Sequence, residues 1–150
     1  MQLDNFDLEI YSESNQEHQN ILKKVTEDKT GRQYLGNIMN HVNSILKRKE
    51  EDYLNNNIYI AIYNQRPIGY IALTHHDDIY EITSGLIKEA RGEHLGALLL
   101  QEFSEEIFEN LTYIDKLTLV IDNKNIGSIK AAQLVGYQKE NGNYYTQKRR

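Results

Sequence analysis

Cysteine and tryptophan are absent from this chain of 150 residues, and proline occurs once. Without thiols the chain can form neither a disulfide scaffold nor a thiolate metal site, and it has no cysteine nucleophile. No apolar run approaches the ~20 residues that a membrane span needs. The first residues also lack the basic and then apolar segments of a secretory signal. We therefore expect a cytoplasmic protein with no membrane partner.

The charge balance is acidic, with 17 Lys and Arg against 22 Asp and Glu and a net charge of −5 at pH 7. A nucleic-acid partner is not expected, because such proteins usually carry a basic face. A polyanionic ligand would have to be held by local groups against this overall charge. No repeat and no linker rich in Gly, Pro or Ser divides the sequence, so we expect one domain over residues 1–150.

Hydrophobic spacing predicts the helices. Apolar residues recur three and four positions apart in several segments, as they do on the buried face of a helix. A turn is expected at residues 30–31, between the first two of these segments. The predicted helices cover residues 16–27, 34–52, 96–110 and 126–135.

Runs rich in β-branched and aromatic residues predict the strands. They cover residues 8–11, 58–63, 67–74, 79–87, 116–121, 137–140 and 143–147. Turns are expected at residues 64–67 and 75–78, and Asn141-Gly142 is the strongest hairpin signal. The combined order, β-α-α-β-β-β-α-β-α-β-β, is typical of a mixed α/β architecture.

Residues 86–100 are the strongest candidate for a binding site. A strand ends there, a short charged loop carries Gly92 and Gly96, and an apolar helix begins. Such a junction presents unpaired backbone N–H groups at the positive end of a helix dipole, which favours anions. Arg91 adds a bidentate phosphate partner. A helix start that uses glycine only for turning is the alternative. The spacing is neither a P-loop nor a dinucleotide fingerprint.

Within this segment, residues 86–96 resemble the cofactor-binding motif of the GNAT N-acetyltransferase superfamily, often V-x-P-E-x-R-G-x-G-x-G/A. The positions that fit are Leu86, Glu89, Arg91, Gly92 and Gly96. Lys88 replaces the proline, and His94 replaces a common middle glycine. The side chain of His94 must therefore be accommodated beside the pyrophosphate, where it could also donate a hydrogen bond.

A second segment, residues 122–137, is similar to the superfamily motif N-x-x-[A/S]-(x)7-G-[F/Y]. The matching positions are Asn125, Ser128, Gly136 and Tyr137. Many members place a tyrosine seven residues after the asparagine, as the acid that protonates the leaving thiolate, and that position here is Ala132. The order of helices and strands also agrees, so the resemblance covers nearly the whole chain.

The resemblance implies a mixed, mostly antiparallel sheet that opens near its middle, where the pantetheine of acetyl-CoA would lie. Backbone groups of Leu86 and Ile87 would bond the pantetheine amides and polarise the thioester carbonyl. Asn125 would bond the pantetheine arm, and Ser128 would lie near the sulfur. The backbone amides that would hold the pyrophosphate are those of Arg91, Gly92, Glu93, His94, Leu95, Gly96 and Ala97.

The implied reaction is direct attack of a primary amine on acetyl-CoA in a ternary complex, with no metal. An amine with a pKa of about 10 is protonated at pH 7, so a base must remove a proton. Glu81, in the strand before the loop, is the candidate base. Ser128, Tyr137 or water could assist the leaving thiolate. His75 and His76 are assigned to the preceding turn, as ordinary surface histidines.

Two other functions stay open. The same fold could serve as a non-catalytic acyl-CoA-binding sensor or interaction module, which the missing tyrosine favours. An unrelated α/β interaction domain would use the loop glycines for structure only. The sequence does not identify the amine acceptor, although acidic Asp77 and Asp78 suit a cationic small molecule or peptide. Dimers are common in the family, so a homodimer is a further expectation.

Overall fold

The computed structural model describes residues 1–35, 42–43, 54 and 57–150. Its strands are β1 Asp7–Ile10, β2 Asn57–Tyr63, β3 Arg66–His76, β4 Ile79–Leu86, β5 Lys116–Val120, β6 Gln138–Asn141 and β7 Tyr144–Lys148. Within the described ranges these seven strands form one sheet in the order β1-β2-β3-β4-β5-β7-β6. Neighbours pair antiparallel except β4 and β5, which are parallel. The expected mixed, mostly antiparallel sheet is confirmed.

Helices flank this sheet. The described ones are α1 Gln16–Val25, α2 Lys29–Leu35, α3 Leu95–Asn110 and α4 Ile126–Leu134, and a 3₁₀ turn covers Lys88–Ala90. Helix α1 packs on β3, whereas α3 packs on β4 and on α4. The predicted helix over residues 34–52 lies almost entirely outside the described residues.

Strand β2 lies at the centre of the core. Four successive residues, Ile58 to Ala61, are at most 2% exposed, so both faces of the strand are covered. Tyr59 packs edge-on against Phe103 of α3, with ring centroids 6.1 Å apart. Each such aliphatic or aromatic side chain contributes about 1.5–3 kcal/mol when fully buried. A continuous run of β-branched and aromatic residues is what a strand buried on both faces requires.

The turn predicted at residues 30–31 is wrong, because helix α2 already begins at Lys29. Asp28 starts the helix: its Oδ1 accepts the backbone N–H of Gly31 at 3.2 Å, and its carbonyl accepts that of Arg32 at 3.0 Å. Gly31 is required by packing rather than by turning. A Cβ there would stand 2.0 Å from the carbonyl oxygen of Val25, at the end of α1.

The turns predicted at 64–67 and 75–78 are each shorter than expected. The β2–β3 hairpin turns at Asn64 and Gln65, and the β3–β4 hairpin turns at Asp77 and Asp78, all with positive φ. Two left-handed residues match the twist of a two-residue hairpin, and Asn and Asp tolerate that region better than most residues. His75 and His76 consequently both belong to strand β3 rather than to a turn.

Strands β4 and β5 separate soon after they meet. Their pairing consists of one bridge, between Glu81 and Thr118. Beyond it, β4 stays paired with β3 as far as Leu86, while β5 follows β7. A gap therefore opens between two neighbouring strands in the middle of the sheet. Among the described helices, none is long and apolar enough to span a membrane.

Candidate active site

The gap between β4 and β5 is the floor of a large pocket, with a volume of about 940 Å³. The second half of β4 and the end of β5 form its two sides. The loop before α3, the first turn of α3 and the first turns of α4 close one end. Residues of α2 also line the pocket. Segments far apart in the sequence thus meet around one opening in the sheet.

A row of six backbone N–H groups, at residues 92–97, lies along the loop and the first turn of α3. None of them has an acceptor within the described part of the chain, and the first helical donor with a partner is Leu98, which bonds His94 at 3.1 Å. Gly92 and His94 both have left-handed φ values, +83° and +61°. Such a row at the N-terminus of a 16-residue helix is suited to an anion.

The glycines keep this row open. A Cβ at Gly92 would meet nothing within 4 Å, and a Cβ at Gly96 would meet only the Cδ1 atom of Leu86, at 3.6 Å. The protein itself therefore does not fill the space above these amides. His94 precedes the helix without a side-chain cap bond, and its ring lines the pocket.

The side chain of Arg91 points to the protein rather than to the open pocket. Its Nη1 donates to Asp28 Oδ2 at 2.5 Å, and its Nη2 donates to the carbonyls of Leu86 and Val25 at 3.0 and 3.3 Å. Its Nε also donates to Leu86, at 3.2 Å. Four of the five guanidinium N–H groups are thus in use, and the backbone N–H bonds the carbonyl of Lys88.

The Arg91–Asp28 pair joins the cofactor-motif loop to the start of α2. The guanidinium lowers the pKa of the Asp28 carboxyl below its ordinary value, mainly through the hydrogen bond between the two side chains. Because Arg91 also binds the last residue of β4 and the last residue of α1, one side chain connects three elements around the pocket.

Leu86 and Ile87 have different backbone environments. The N–H of Ile87 donates to Ile68 of β3 at 2.8 Å, so it takes part in the sheet. Backbone groups of an antiparallel strand alternate between its two sides, and those of Leu86 therefore face the gap. Leu86 lines the pocket, and its carbonyl accepts the Arg91 side chain, which leaves its N–H as the group directed to the gap.

Asn125 and Ser128 lie on the opposite side, at the start of α4. Asn125 caps the helix, since its Oδ1 accepts the backbone N–H of Ser128 at 3.3 Å. Both residues line the pocket, as do Gly127 and Ala131 of the same helix. The hydroxyl of Ser128 is free to contact a ligand because the cap uses only its backbone.

Glu81 lies at the apex of the gap, in the one residue pair that joins β4 to β5. Glu81 lines the pocket, and its Oε1 lies 2.6 Å from Nε2 of His76, at hydrogen-bond distance. The described residues contain no cluster of three side chains placed to hold a metal ion. A carboxylate paired with an imidazole thus lies where β4 and β5 separate.

Tyr137 lies away from the other predicted site residues. It is 1% exposed, and its hydroxyl shares a 2.7 Å hydrogen bond with Ser104 of α3. Burial raises the pKa of this phenol above its ordinary value. Ala132, at the position where many superfamily members have tyrosine, is fully buried. Neither residue lines the pocket.

Sequence reasoning missed two pocket tyrosines and underrated His76. Tyr70 of β3 lines the pocket, and burial together with the charge of Glu81 raises its pKa. It lies opposite Gly85, and a glycine inside a strand is a signal of close approach. Tyr34 of α2 also lines the pocket. It was missed because a turn was expected at residues 30–31, where α2 is already helical. For His76, the sequence signal was the pair Asp77-Asp78, which can form a two-residue hairpin turn and so leaves His76 in the strand.

The sequence model of the acetyltransferase (GNAT) family matches residues 22–137, about three quarters of the chain. No curated protein sequence matches it significantly. Among solved structures, a GNAT-family acetyltransferase from Bacillus anthracis is 11% identical, with a TM-score of 0.75 over 99% of this chain and 97% of that one.

Two further structures contain acetyl-CoA. The aminoglycoside acetyltransferase AAC(6')-Ib, with paromomycin and acetyl-CoA, is 18% identical, with a TM-score of 0.73 over 97% of this chain and 94% of that one. The N-acetyltransferase PseH of Campylobacter jejuni is also 18% identical, with a TM-score of 0.67 over 97% and 99%. At these identities the likeness shows the fold. Together with the family match, it confirms the resemblance found in the sequence motifs: the chain belongs to the acetyltransferase (GNAT) family.

Proposed function

We propose that this chain transfers the acetyl group of acetyl-CoA to a primary amine of a small molecule or peptide. The observation that carries the proposal is the row of open amides at residues 92–97, beside a gap that extends to a carboxylate. Membership of the acetyltransferase (GNAT) family supports it. So do the complexes of similar structures with acetyl-CoA.

The amides of residues 92–97 hold the pyrophosphate in this proposal. Backbone donors and the helix dipole attract a polyanion locally, which an acidic chain with a net charge of −5 requires. The guanidinium of Arg91 takes a supporting part, because Asp28 and two carbonyls already occupy it. This differs from the bidentate phosphate contact that the sequence predicted for this side chain.

The pantetheine arm lies in the gap. The N–H of Leu86 bonds it from the β4 side and polarises the thioester carbonyl, a small contribution of the oxyanion-hole kind. Asn125 and Ser128 contact it from α4. The N–H of Ile87 is already bonded to Ile68, so its contribution is restricted to shaping the end of β4.

In the reaction, the amine nitrogen attacks the thioester carbon after losing one proton to Glu81. The C–S bond then breaks, and its electron pair leaves with the sulfur of CoA. A thiol pKa of roughly 8.5 makes this departure feasible without a strong acid. Ser128 or water passes the second proton of the nitrogen to the thiolate, because the hydroxyl of Tyr137 is buried against Ser104.

The similar AAC(6')-Ib structure with paromomycin supports an amine acceptor. In this chain, Glu81, Tyr34 and Tyr70 all line the pocket. A carboxylate and aromatic side chains in one pocket favour a cationic group carried on an apolar or hydroxylated body.

One observation favours the second candidate, a non-catalytic acyl-CoA sensor on the same fold. No tyrosine stands at the usual acid position, where Ala132 is buried, and the hydroxyl of Tyr137 is committed to Ser104. A chain that binds acetyl-CoA without an effective acid could report acyl-CoA levels through a partner instead.

The test has two steps. A ligand at 100 times its Kd stabilises the folded state by about 2.7 kcal/mol, so acetyl-CoA should raise Tm by roughly 5–10 °C. CoA release is then measured with spermidine, kanamycin, an Nα-acetylated lysine peptide and a peptide with a free N-terminus. The chain contains no cysteine, so a thiol reagent detects only CoA.

The outcomes separate the hypotheses. Stabilisation with turnover on at least one amine supports the transferase. Stabilisation without turnover on any of them favours the sensor. A Tm that does not change at millimolar acetyl-CoA contradicts both and leaves a structural role for the loop glycines.

A further inference from the structure

Glu81 and His76 form a pair that lies partly in the pocket and partly at the protein surface. Their atoms Oε1 and Nε2 are 2.6 Å apart, and their side chains are 16% and 34% exposed respectively. The other ring nitrogen of His76 lies 3.7 Å from a carboxylate oxygen of Asp77. The imidazole therefore stands between the pocket carboxylate and the hairpin turn.

Strand geometry makes this contact specific to His76. Glu81 is paired with Thr74 across the β3–β4 hairpin, and side chains of cross-strand partners share a face of the sheet. Because strand side chains alternate, His76 shares the face of Thr74. His75 lies on the opposite face, where its ring stacks on Tyr80 at 4.1 Å. Of two adjacent histidines, one can reach the carboxylate.

The chemistry of the two groups assigns the donor. A nitrogen and a carboxylate oxygen 2.6 Å apart are at the distance of a charge-assisted hydrogen bond. A carboxylate can only accept, so Nε2–H donates to Oε1. This bond restrains the rotation of the carboxylate and leaves Oε2 as the oxygen with free acceptor capacity.

We propose that His76 is a positioning residue, which holds the Glu81 carboxylate so that Oε2 accepts the proton of the acceptor amine. The inference rests on the proposed transferase function. The substrate ammonium loses one proton to Oε2, and its freed electron pair forms the new C–N bond. The C–S bond then breaks with its electrons on sulfur, and the second proton of the nitrogen passes to the thiolate through water. The Nε2–H bond to Oε1 is unchanged throughout. Oε2 later returns its proton to water.

The energetic reason is orientation. A misplaced catalytic group can lower a rate by about 100-fold even when all groups remain present. A glutamate side chain has several rotatable bonds, and Glu81 has no other side-chain hydrogen bond among the described residues. Removing the donor allows the carboxylate to leave the productive rotamer, without altering the amides of residues 92–97 that hold the cofactor.

The experiment compares His76→Leu with His76→Gln, using the fastest acceptor amine of the panel above. The side-chain amide of glutamine can place an N–H near the position of Nε2, whereas leucine cannot. We expect His76→Leu to lower kcat by about 10- to 100-fold, with KM for acetyl-CoA unchanged. His76→Gln should retain at least a third of wild-type kcat. The matched control is His75→Leu, on the other face of the same strand, which should keep wild-type kcat.

Each result decides a separate question. Equal kcat values for His76→Leu and the wild type overturn the positioning role while the transferase function stands. Equal losses in the leucine and glutamine variants also overturn it, because the N–H donor would then not be what matters. A loss of acetyl-CoA affinity in His76→Leu points to a structural role and contradicts the inference. No CoA release from the wild type contradicts the proposed function itself.

Discussion

The two ends of the pocket present polar groups in different ways. The loop end, residues 92–97, offers backbone amides on a left-handed loop and a helix terminus. The hairpin end, made by β3 and β4 around Glu81 and His76, offers ionisable side chains. Open backbone donors of this kind require glycine at particular positions, so they can be recognised as a motif in the sequence. Side-chain pairs depend on strand register, which a motif does not record.

This comparison predicts that the two ends can be damaged separately. The largest effect is expected for Glu81→Gln, which removes the base and keeps the size of the side chain. General-base catalysis is typically worth 10²- to 10⁴-fold, so kcat should fall by about that range. The Kd for acetyl-CoA should not change. Steady-state kinetics and calorimetric titration measure the two quantities.

A matched control for Glu81→Gln is Glu9→Gln. Glu9 also lies on a strand and bonds a histidine, at 3.0 Å from His18, but it does not line the pocket. This variant should keep wild-type kcat. If Glu81→Gln weakened acetyl-CoA binding as strongly as it lowered kcat, the two ends would not be independent and the comparison would fail.

The next largest effect is expected at Arg91, which joins the loop end to α1 and to the start of α2. Arg91→Ala removes its hydrogen bonds to the carbonyls of Leu86 and Val25, each worth about 1 kcal/mol net. The free energy of unfolding should decrease by about 2–3 kcal/mol. If the released loop keeps its binding geometry a tenth of the time, the Kd for acetyl-CoA rises about tenfold. Denaturant unfolding and titration test both.

Arg149→Ala is the matched control. Arg149 donates to the carbonyls of Phe108, Leu111 and Ile114 at the end of α3, and its side chain is 28% exposed, against 27% for Arg91. It should lose similar stability and keep its affinity for acetyl-CoA. If both variants bind acetyl-CoA like the wild type, Arg91 stabilises the fold and has no role in shaping the loop.

The pH dependence of stability tests the same connection through Asp28. Its pKa is lowered in the folded state by Arg91. The contribution of the pair is therefore complete above the ordinary carboxyl pKa of 3.8 and is lost as pH falls through the lower folded value. Asp28→Asn should be less stable than the wild type by a constant amount at neutral pH. The difference should vanish in strong acid, as followed by thermal unfolding at each pH.

Sequence alone predicted much of this arrangement and missed specific parts of it. The loop before α3 was predictable because glycine positions and a helical period are both local. Glu81 could be named as a candidate base from its place in the strand before the loop. The partner of Arg91 was not predictable, since Asp28 is 63 positions away. His76 was misplaced because a turn built from Asp77 and Asp78, without glycine, carries a weak signal.

A smaller effect is expected at Gly92. Alanine at this position, where φ is +83°, places a methyl group in the space above the amides. Losing one hydrogen bond to a charged group is worth about 1.5 kcal/mol or more, so the Kd for acetyl-CoA should rise about tenfold. Gly142→Ala is the control, because Gly142 also has a positive φ and open surroundings but lies in the β6–β7 hairpin. Equal affinities of the two variants for acetyl-CoA would contradict a role of these amides in binding it.

Of the two variants that act on kcat, Ser128→Ala is expected to have the smaller effect, and it sharpens the comparison from the side of α4. The helix cap survives, because Asn125 accepts the backbone N–H of residue 128 rather than its hydroxyl. The variant therefore tests the hydroxyl alone. Since a thiolate of CoA leaves readily without strong acid assistance, kcat should fall by less than about 100-fold. A loss of several thousandfold in steady-state assays would make Ser128 the essential acid. Protonation of the leaving thiolate would then depend on a side chain of α4, in addition to the groups at the loop end and the hairpin end.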